Sequence, residues 1–366
     1  MPTAFEILGV SPDADAVEIR SAYHQLAKAC HPDRFLDPRE QAAGQERLIV
    51  INLAYEQAMK IASSRQTPAA QMPLKQAKDW AEKLLEPGKR ITPDMLAVED
   101  FLPDYERMFR ISEDLGQDAF WTAEPFTGIP WMEAILGCPV IAGEESFQSL
   151  PWMESPDEGG RIVFDPDNPW LRKYLEFTSA LVELSRGRFP VGMPIMRGPS
   201  DMTGAVLGQT RMVYAMADEP EKMKAFFLGV TDLFLRVLEE QNRLIPPFHG
   251  GTALGFYHVW APGGSVWFQE DLSAIMSPAM YREFLAEPAR RICAGKDHTC
   301  IHLHPASFFI LDELFRIDEL KAVEVNKDVG GPSVPEMVPQ LRRILEKKNL
   351  VLWGDFTLED LEPWYA

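Results

Sequence analysis

Apolar residues near the start of the chain recur at helical spacing. "AFEILGV" (4–10) is a short apolar turn closed by Gly9. Ser11 and Asp13 are helix-start signals. Beyond them Ile19, Ala22, Tyr23 and Leu26 stand at i, i+3, i+4 and i+7 and form one stripe. Arg20, His24 and Lys28 lie on a different face. Pro32 forces the helix to end before it. A second stripe, Leu48, Ile51, Ala54, Tyr55 and Ala58, follows Pro38. The pattern predicts two antiparallel helices that bury these stripes together, with His31-Pro32-Asp33 exposed at the turn.

"SSRQTPAAQMP" (63–73) is small, polar and proline-bearing, and reads as a linker. Three regions follow: a helical domain at 1–66, a linker at 67–75 and a larger domain at 76–366. In the larger domain short apolar runs alternate with amphipathic helical patterns. The predicted strands are 118–125, 189–196, 264–271, 299–304, 321–327 and 349–355. Predicted helices include 219–244, 277–295 and 333–348, with Ser277-Pro278 and Ser333 as starts. Such alternation predicts an α/β fold with a parallel sheet. A (β/α)8 TIM-like barrel is favoured over a doubly wound sheet, because no GxGxxG follows the first strand. The segment 249–267 is rich in glycine and aromatics, and is expected to form a flexible lid or a ring-stacking wall. Met193, Met196, Met212 and Met216 are expected to pack.

Composition narrows the function. The chain is 46% hydrophobic and 25% charged, ordinary for a globular protein. Its formal net charge of −19 repels phosphate backbones, so no nucleic-acid partner is expected. No secretory signal and no apolar run of about 18 residues is visible, so no membrane partner is expected. Cys30, Cys138, Cys293 and Cys300 are scattered without disulfide or CxxC spacing. The expected location is cytoplasmic.

The first domain resembles a J-domain, the module by which DnaJ-type co-chaperones stimulate DnaK-type chaperones. "FEILGV", "EIRSAYHQLAKACHPDR" and "INLAYEQAM" carry the resemblance, which covers residues 3–62. It implies a DnaK-type chaperone as partner and a chaperone-binding set of His31, Pro32, Asp33, Arg20 and Lys28. Asp33 would contact a cationic site, Pro32 would hold the turn, and Arg20 and Lys28 would meet an acidic surface.

In the larger domain Glu124, Glu270, Asp271, His302, His304 and Asp355 fall at the C-terminal ends of strands, where a barrel places its chemistry. Glu124, Asp271 and Asp355 are the candidate catalytic acids. Arg197, His258 and Trp267 are the candidate substrate-binding residues. His302 and His304, two apart on a strand, share a face.

"RGPSDMTGAVLG", "EDLSAIMSPAMYREFLAEPARRI", "CIHLHPASFFILDELFRIDELKAVEVN" and "LVLWGDF" resemble the uroporphyrinogen decarboxylase superfamily over residues 76–360. Its decarboxylases, lyases of porphyrin biosynthesis, use no metal or organic cofactor and need several arginines for a carboxylate-rich tetrapyrrole. Arg197 is one such candidate, but 88–112 does not match the early arginine-rich motif. The resemblance places the essential acid of the decarboxylases at Glu124. The methyltransferase branch binds zinc through His-x-Cys and a later Cys, and takes its methyl group from a corrinoid protein. Here His302-Leu303-His304 occupies that strand, which implies zinc on His302 and His304 with Glu270 as third ligand. Zinc-dependent methyl transfer is therefore the favoured function, with uroporphyrinogen decarboxylation and a non-enzymatic co-chaperone carrying a degenerate barrel as alternatives. The resemblance calls for another strand and helix after "EDLEPWYA", so the barrel is expected to be incomplete at its C-terminal end.

Overall fold

The computed structural model describes residues 3–12, 86–115, 119–143, 146–357 and 360, with scattered positions between 14 and 58. The chain divides into two compact units, Met1–Leu74 with Asp328–Pro332, and Lys75–Lys327 with Ser333–Ala366. The expected linker at 67–75 lies outside the described residues.

In the first unit the helix Ala4–Leu8 is capped by Thr3 and Glu6 bonding each other's backbone, and Gly9 ends it in the left-handed region at φ 69°. Its Phe5 and Leu8 pack with Ile19, Ile51, Ala54 and Ala58 in one small buried cluster. The Tyr23 and Tyr55 rings stack with centroids 4.2 Å apart, which brings the two predicted stripes face to face.

The second unit is mixed α/β. A three-stranded antiparallel sheet joins β1 (Arg90–Ile91), β2 (Val140–Ala142) and β3 (Phe147–Ser149) in that order. β4 (Gly251–Leu254) and β5 (Val259–Pro262) make an antiparallel hairpin. β6 (Ser265–Gln269), β7 (His298–Leu303), β8 (Ala322–Asn326) and β9 (Asn349–Trp353) form a parallel sheet in sequence order. β6 to β8 are buried along almost their whole length, as parallel strands covered on both faces are. Single parallel bridges extend the arrangement: Ala123 to Val191, Gly192 to Ala253 and Arg197 to Gln269. Thus the expected strand at 118–125 contributes one bridge at Ala123, whereas the last four expected strands match β6 to β9. Among the described residues no pair joins β9 back to the segment at Ala123. The closed eight-stranded cylinder is therefore not seen, and the fold is an α/β unit with parallel strands.

Helices cover these strands. Pro169–Ser185 starts where the Asn168 side chain accepts from Trp170 N and Leu171 N at 2.9 and 3.2 Å. Pro220–Leu244 buries Met223, Phe226, Phe227, Val230, Phe234 and Val237 at helical spacing. Val334–Leu345 begins with a Ser333–Glu336 capping box. Ser277 caps the turn that leads into Ala286–Cys293. Met193, Met196, Met212 and Met216 are all buried in the main core.

Gly198 positions the site. A Cβ there would stand 2.6 Å from the Gln269 carbonyl oxygen and 2.7 Å from Glu270 Oε1. Only glycine lets the helix Pro199–Leu207 begin this close to the end of β6.

Candidate functional site

Asp271, His302 and His304 converge at the C-terminal ends of β6 and β7. One ligand atom from each lies within 4.8 Å of the others. His302 Nε2 and His304 Nε2 are each 3.7 Å from Asp271 Oδ1. The imidazoles stand nearly perpendicular, with centroids 4.6 Å apart. Asp271 Oδ2 accepts from the Gln269 amide, while Oδ1 is buried and without a hydrogen-bond partner.

Register explains the convergence. Gln269 on β6 pairs with His302 on β7, and His302 pairs with Glu324 on β8. Paired residues on parallel strands project from the same face. Glu324, fully buried, therefore meets His302 Nδ1 directly. The Tyr257 hydroxyl lies 2.7 Å from the same nitrogen. A carboxylate accepts only, so Nδ1 donates to Glu324, and Nε2 is the ring nitrogen directed at Asp271. Burial, with the Glu324 charge, holds the Tyr257 phenol well above its usual range.

These donors suit a divalent metal. Two imidazole nitrogens and a carboxylate oxygen form a common zinc set. The 3.7 Å separations are close to the edge of about 3.3 Å in a tetrahedron with ~2.0 Å bonds. Glu324 stands behind His302 in the position of the outer carboxylate that fixes the tautomer of metal-binding histidines in general. An orphaned, buried Oδ1 on Asp271 is the acceptor such a set leaves open.

The structure thus differs from the expected ligand set. Glu270 is not the third member of the cluster. It is buried, and its Oε2 accepts from Ser200 N at 2.8 Å. Burial, then the nearby Asp201 carboxylate, pushes its carboxyl well above the usual range. Asp271, expected as a catalytic acid, stands with the two imidazoles instead. Asp201, unremarked in the sequence, holds it there: its carboxylate accepts from Asp271 N at 3.1 Å and Leu272 N at 2.9 Å. Burial and the Asp271 charge raise Asp201 to about 7.

The other expected residues are spread more widely. Glu124 packs against Gly255, where a Cβ would come within 2.7 Å of its own Cβ, and burial raises its carboxyl to about 8. Asp355 is exposed, and its carbonyl accepts from Lys327 Nζ. His258 sits on the β4–β5 turn at φ 51°, where its Nδ1 accepts from Thr122 N at 3.2 Å. Burial lowers its pKa. Trp267 is fully buried in the core, in ring contact with Phe256 and Tyr257. Arg197 places Nε 3.1 Å from the buried Glu133 carboxylate. Burial works to lower its pKa, but the carboxylates of Glu133, Asp201 and Asp271 outweigh it and hold the guanidinium charged. His31, Pro32, Asp33, Arg20 and Lys28 lie outside the described residues. Among the described residues no helix is long and apolar enough to cross a membrane.

Residues 3–66 match the family model of the DnaJ domain. The chain therefore carries a DnaJ domain at its N-terminus. The DnaJ-related protein spj1 of Schizosaccharomyces pombe is 53% identical over 51 residues, 14% of this chain and 13% of that protein. Chaperone protein DnaJ of Trichormus variabilis is 48% identical over 52 residues, again 14% and 13%. The curved DNA-binding protein of Coxiella burnetii is 31% identical over 127 residues, 33% of this chain and 37% of that protein. The chain thus spans 13% of the length of the first two relatives. Among solved structures, a methyltransferase from Methanosarcina mazei aligns with TM-score 0.48 and 13% identity over 74% of this chain and 86% of that one.

Proposed function

We propose that the second unit is a zinc-dependent enzyme of the methyl-transfer type, with Asp271, His302 and His304 as the metal ligands and the DnaJ domain as a docking module for a DnaK-type chaperone. The observation that carries the enzyme half is the orphaned Asp271 Oδ1 facing two imidazole Nε2 atoms at 3.7 Å. Zinc, when bound, lowers the pKa of a thiol and makes it a nucleophile at neutral pH. The chain's own residues prepare the place. Glu324 keeps the His302 proton on Nδ1. Gln269 and Asp201 fix the Asp271 side chain and backbone. Tyr257, with Trp267 and Trp353 at ring centroids of 4.9 and 5.2 Å, walls the back of the site. The methyl donor in this reading is a corrinoid carried by a partner protein. The decarboxylase alternative has weaker support, since Arg197 is the single guanidinium beside the site among the described residues.

The test is metal content. Purified full-length chain should carry about one zinc, which Asp271→Ala, His302→Ala and His304→Ala each remove and Glu270→Gln leaves in place. A chain that takes up no zinc, or that loses it equally with Glu270→Gln, overturns the assignment.

A further inference from the structure

We propose that Tyr257 is a positioning residue for the imidazole cluster: its hydroxyl holds the Glu324 carboxylate on Nδ1 of His302, and so keeps that ring in one tautomer and one orientation. The β4–β5 hairpin, distant from His302 in sequence, thereby becomes part of the site.

The phenol ring has little freedom. It is buried, stacks on the His302 imidazole with centroids 5.9 Å apart, and meets Phe256, Trp267 and Trp353 edge-on at 5.0, 4.9 and 5.2 Å. The turn that carries it is pinned as well. Phe256 N donates to the Met193 carbonyl at 3.3 Å and His258 N to the Gly255 carbonyl at 3.0 Å. Thr122 N donates to His258 Nδ1 at 3.2 Å. With ring and backbone both held, the hydroxyl has one place to point.

Proton count assigns its partner. The hydroxyl oxygen lies 2.7 Å from His302 Nδ1. That nitrogen carries one proton and gives it to Glu324. The phenol proton therefore turns to the same carboxylate, with which it hydrogen-bonds. Glu324 needs this second donor. It is fully buried inside a parallel strand, between Val323 and Val325, and its Oε1 has no partner. Without Tyr257 the carboxylate would be held by a single bond, from the ring it has to orient. Two donors from different strands fix its plane. One leaves it free to swing, and leaves His302 free to move its proton to Nε2. That the oriented ring is a zinc ligand rests on the metal reading above; the hydrogen-bonded arrangement does not.

The experiment uses full-length chain isotopically labelled at histidine nitrogen and followed by NMR. In chelator-treated chain the His302 signals, identified by their loss in His302→Gln, should show the Nδ1–H tautomer. Tyr257→Phe keeps the ring and removes the hydroxyl; it should move those signals towards the average of the two tautomers. Trp267→Phe trims a ring partner and keeps the hydroxyl; it should leave them in place. With zinc added, Tyr257→Phe should weaken binding by about three- to tenfold. In a Glu324→Gln background the same change should cost less than about twofold, because it acts through that carboxylate. The other tautomer in the wild type, signals unmoved by Tyr257→Phe, or signals moved as far by Trp267→Phe overturn the proposal. An equal loss of zinc affinity in both backgrounds does so too. A tautomer shift in a chain that takes up no zinc would sink the metal reading alone. Zinc uptake with tautomer and affinity both indifferent to Tyr257→Phe would sink this one alone.

Discussion

Glu324 lies directly behind His302, paired with it in register across β7 and β8 and in contact with its Nδ1. One carboxylate therefore fixes the tautomer, the ring plane and the exposed face of the imidazole. Glu324→Gln removes the charge and adds a donor where an acceptor is needed. Zinc affinity should fall by about 10- to 100-fold, as outer-carboxylate substitutions do elsewhere. Competition with a chromogenic chelator measures it; an unchanged dissociation constant would mean that Glu324 does not orient the ligand.

The two imidazoles should separate stability from binding. His302 is 6% exposed and stands against a fully buried Glu324, so His302→Ala strands an acid in the core. His304 is 35% exposed. In metal-free chain, His302→Ala should lower unfolding free energy by about 3 kcal/mol, and His304→Ala by under ~1 kcal/mol. Denaturant titration of chelator-treated protein checks the difference, and equal losses would count against it.

Glu124 predicts a pH slope. Burial raises its carboxyl from 4.5 to about 8, so the folded chain holds a proton that the unfolded chain has released across that window. Folding then binds protons, and stability falls as pH rises from about 4.5 to 8. Glu124→Gln removes this contribution. Its denaturation midpoint should gain on the wild type between pH 5 and pH 8.5, and a constant gap would refute the assignment.

Gly198 has no room for a side chain. Gly198→Ala drives a Cβ into the Gln269 carbonyl oxygen and the Glu270 carboxyl. The expected loss is about 1–3 kcal/mol, because backbone on one side cannot yield. Since Gln269 also holds Asp271, weaker zinc binding should accompany it. Thermal unfolding and metal titration of the same variant read both effects.

Asp33 tests the other half of the molecule. By the DnaJ match at residues 3–66, Asp33→Asn should abolish stimulation of ATP turnover by a DnaK-type chaperone while leaving zinc content unchanged. Stimulation that survives the change would refute the docking role.

Much of this was legible in the chain. The stripe residues Ile19, Ile51, Ala54 and Ala58 are buried together, since helical period alone decides which face turns inward. His302 and His304 could be paired because residues two apart on a strand share a face. Asp271 beside them was harder to place. β6 ends at Gln269, and Asp271 enters a 3₁₀ turn over Asp271–Ile275, where strand alternation no longer holds. Glu324 carried a signal that went unread: it is the lone acid between the valines of "AVEVN", and a charge inside a parallel strand needs a partner. Tyr257 carried none, since its place depends on a hairpin turn closed by His258 at positive φ. β1 to β3, two or three residues each, are too short to show a period.

Asp271 has a double address. It forms one corner of the imidazole cluster and one panel of a neighbouring chamber of about 450 Å³, whose walls include Glu133, Arg197 and Asp201. Whatever fills the chamber presses on the same carboxylate that the cluster uses, so the two compartments report on each other. A coloured ion such as cobalt, seated in the cluster, would change its spectrum when the chamber next door is filled.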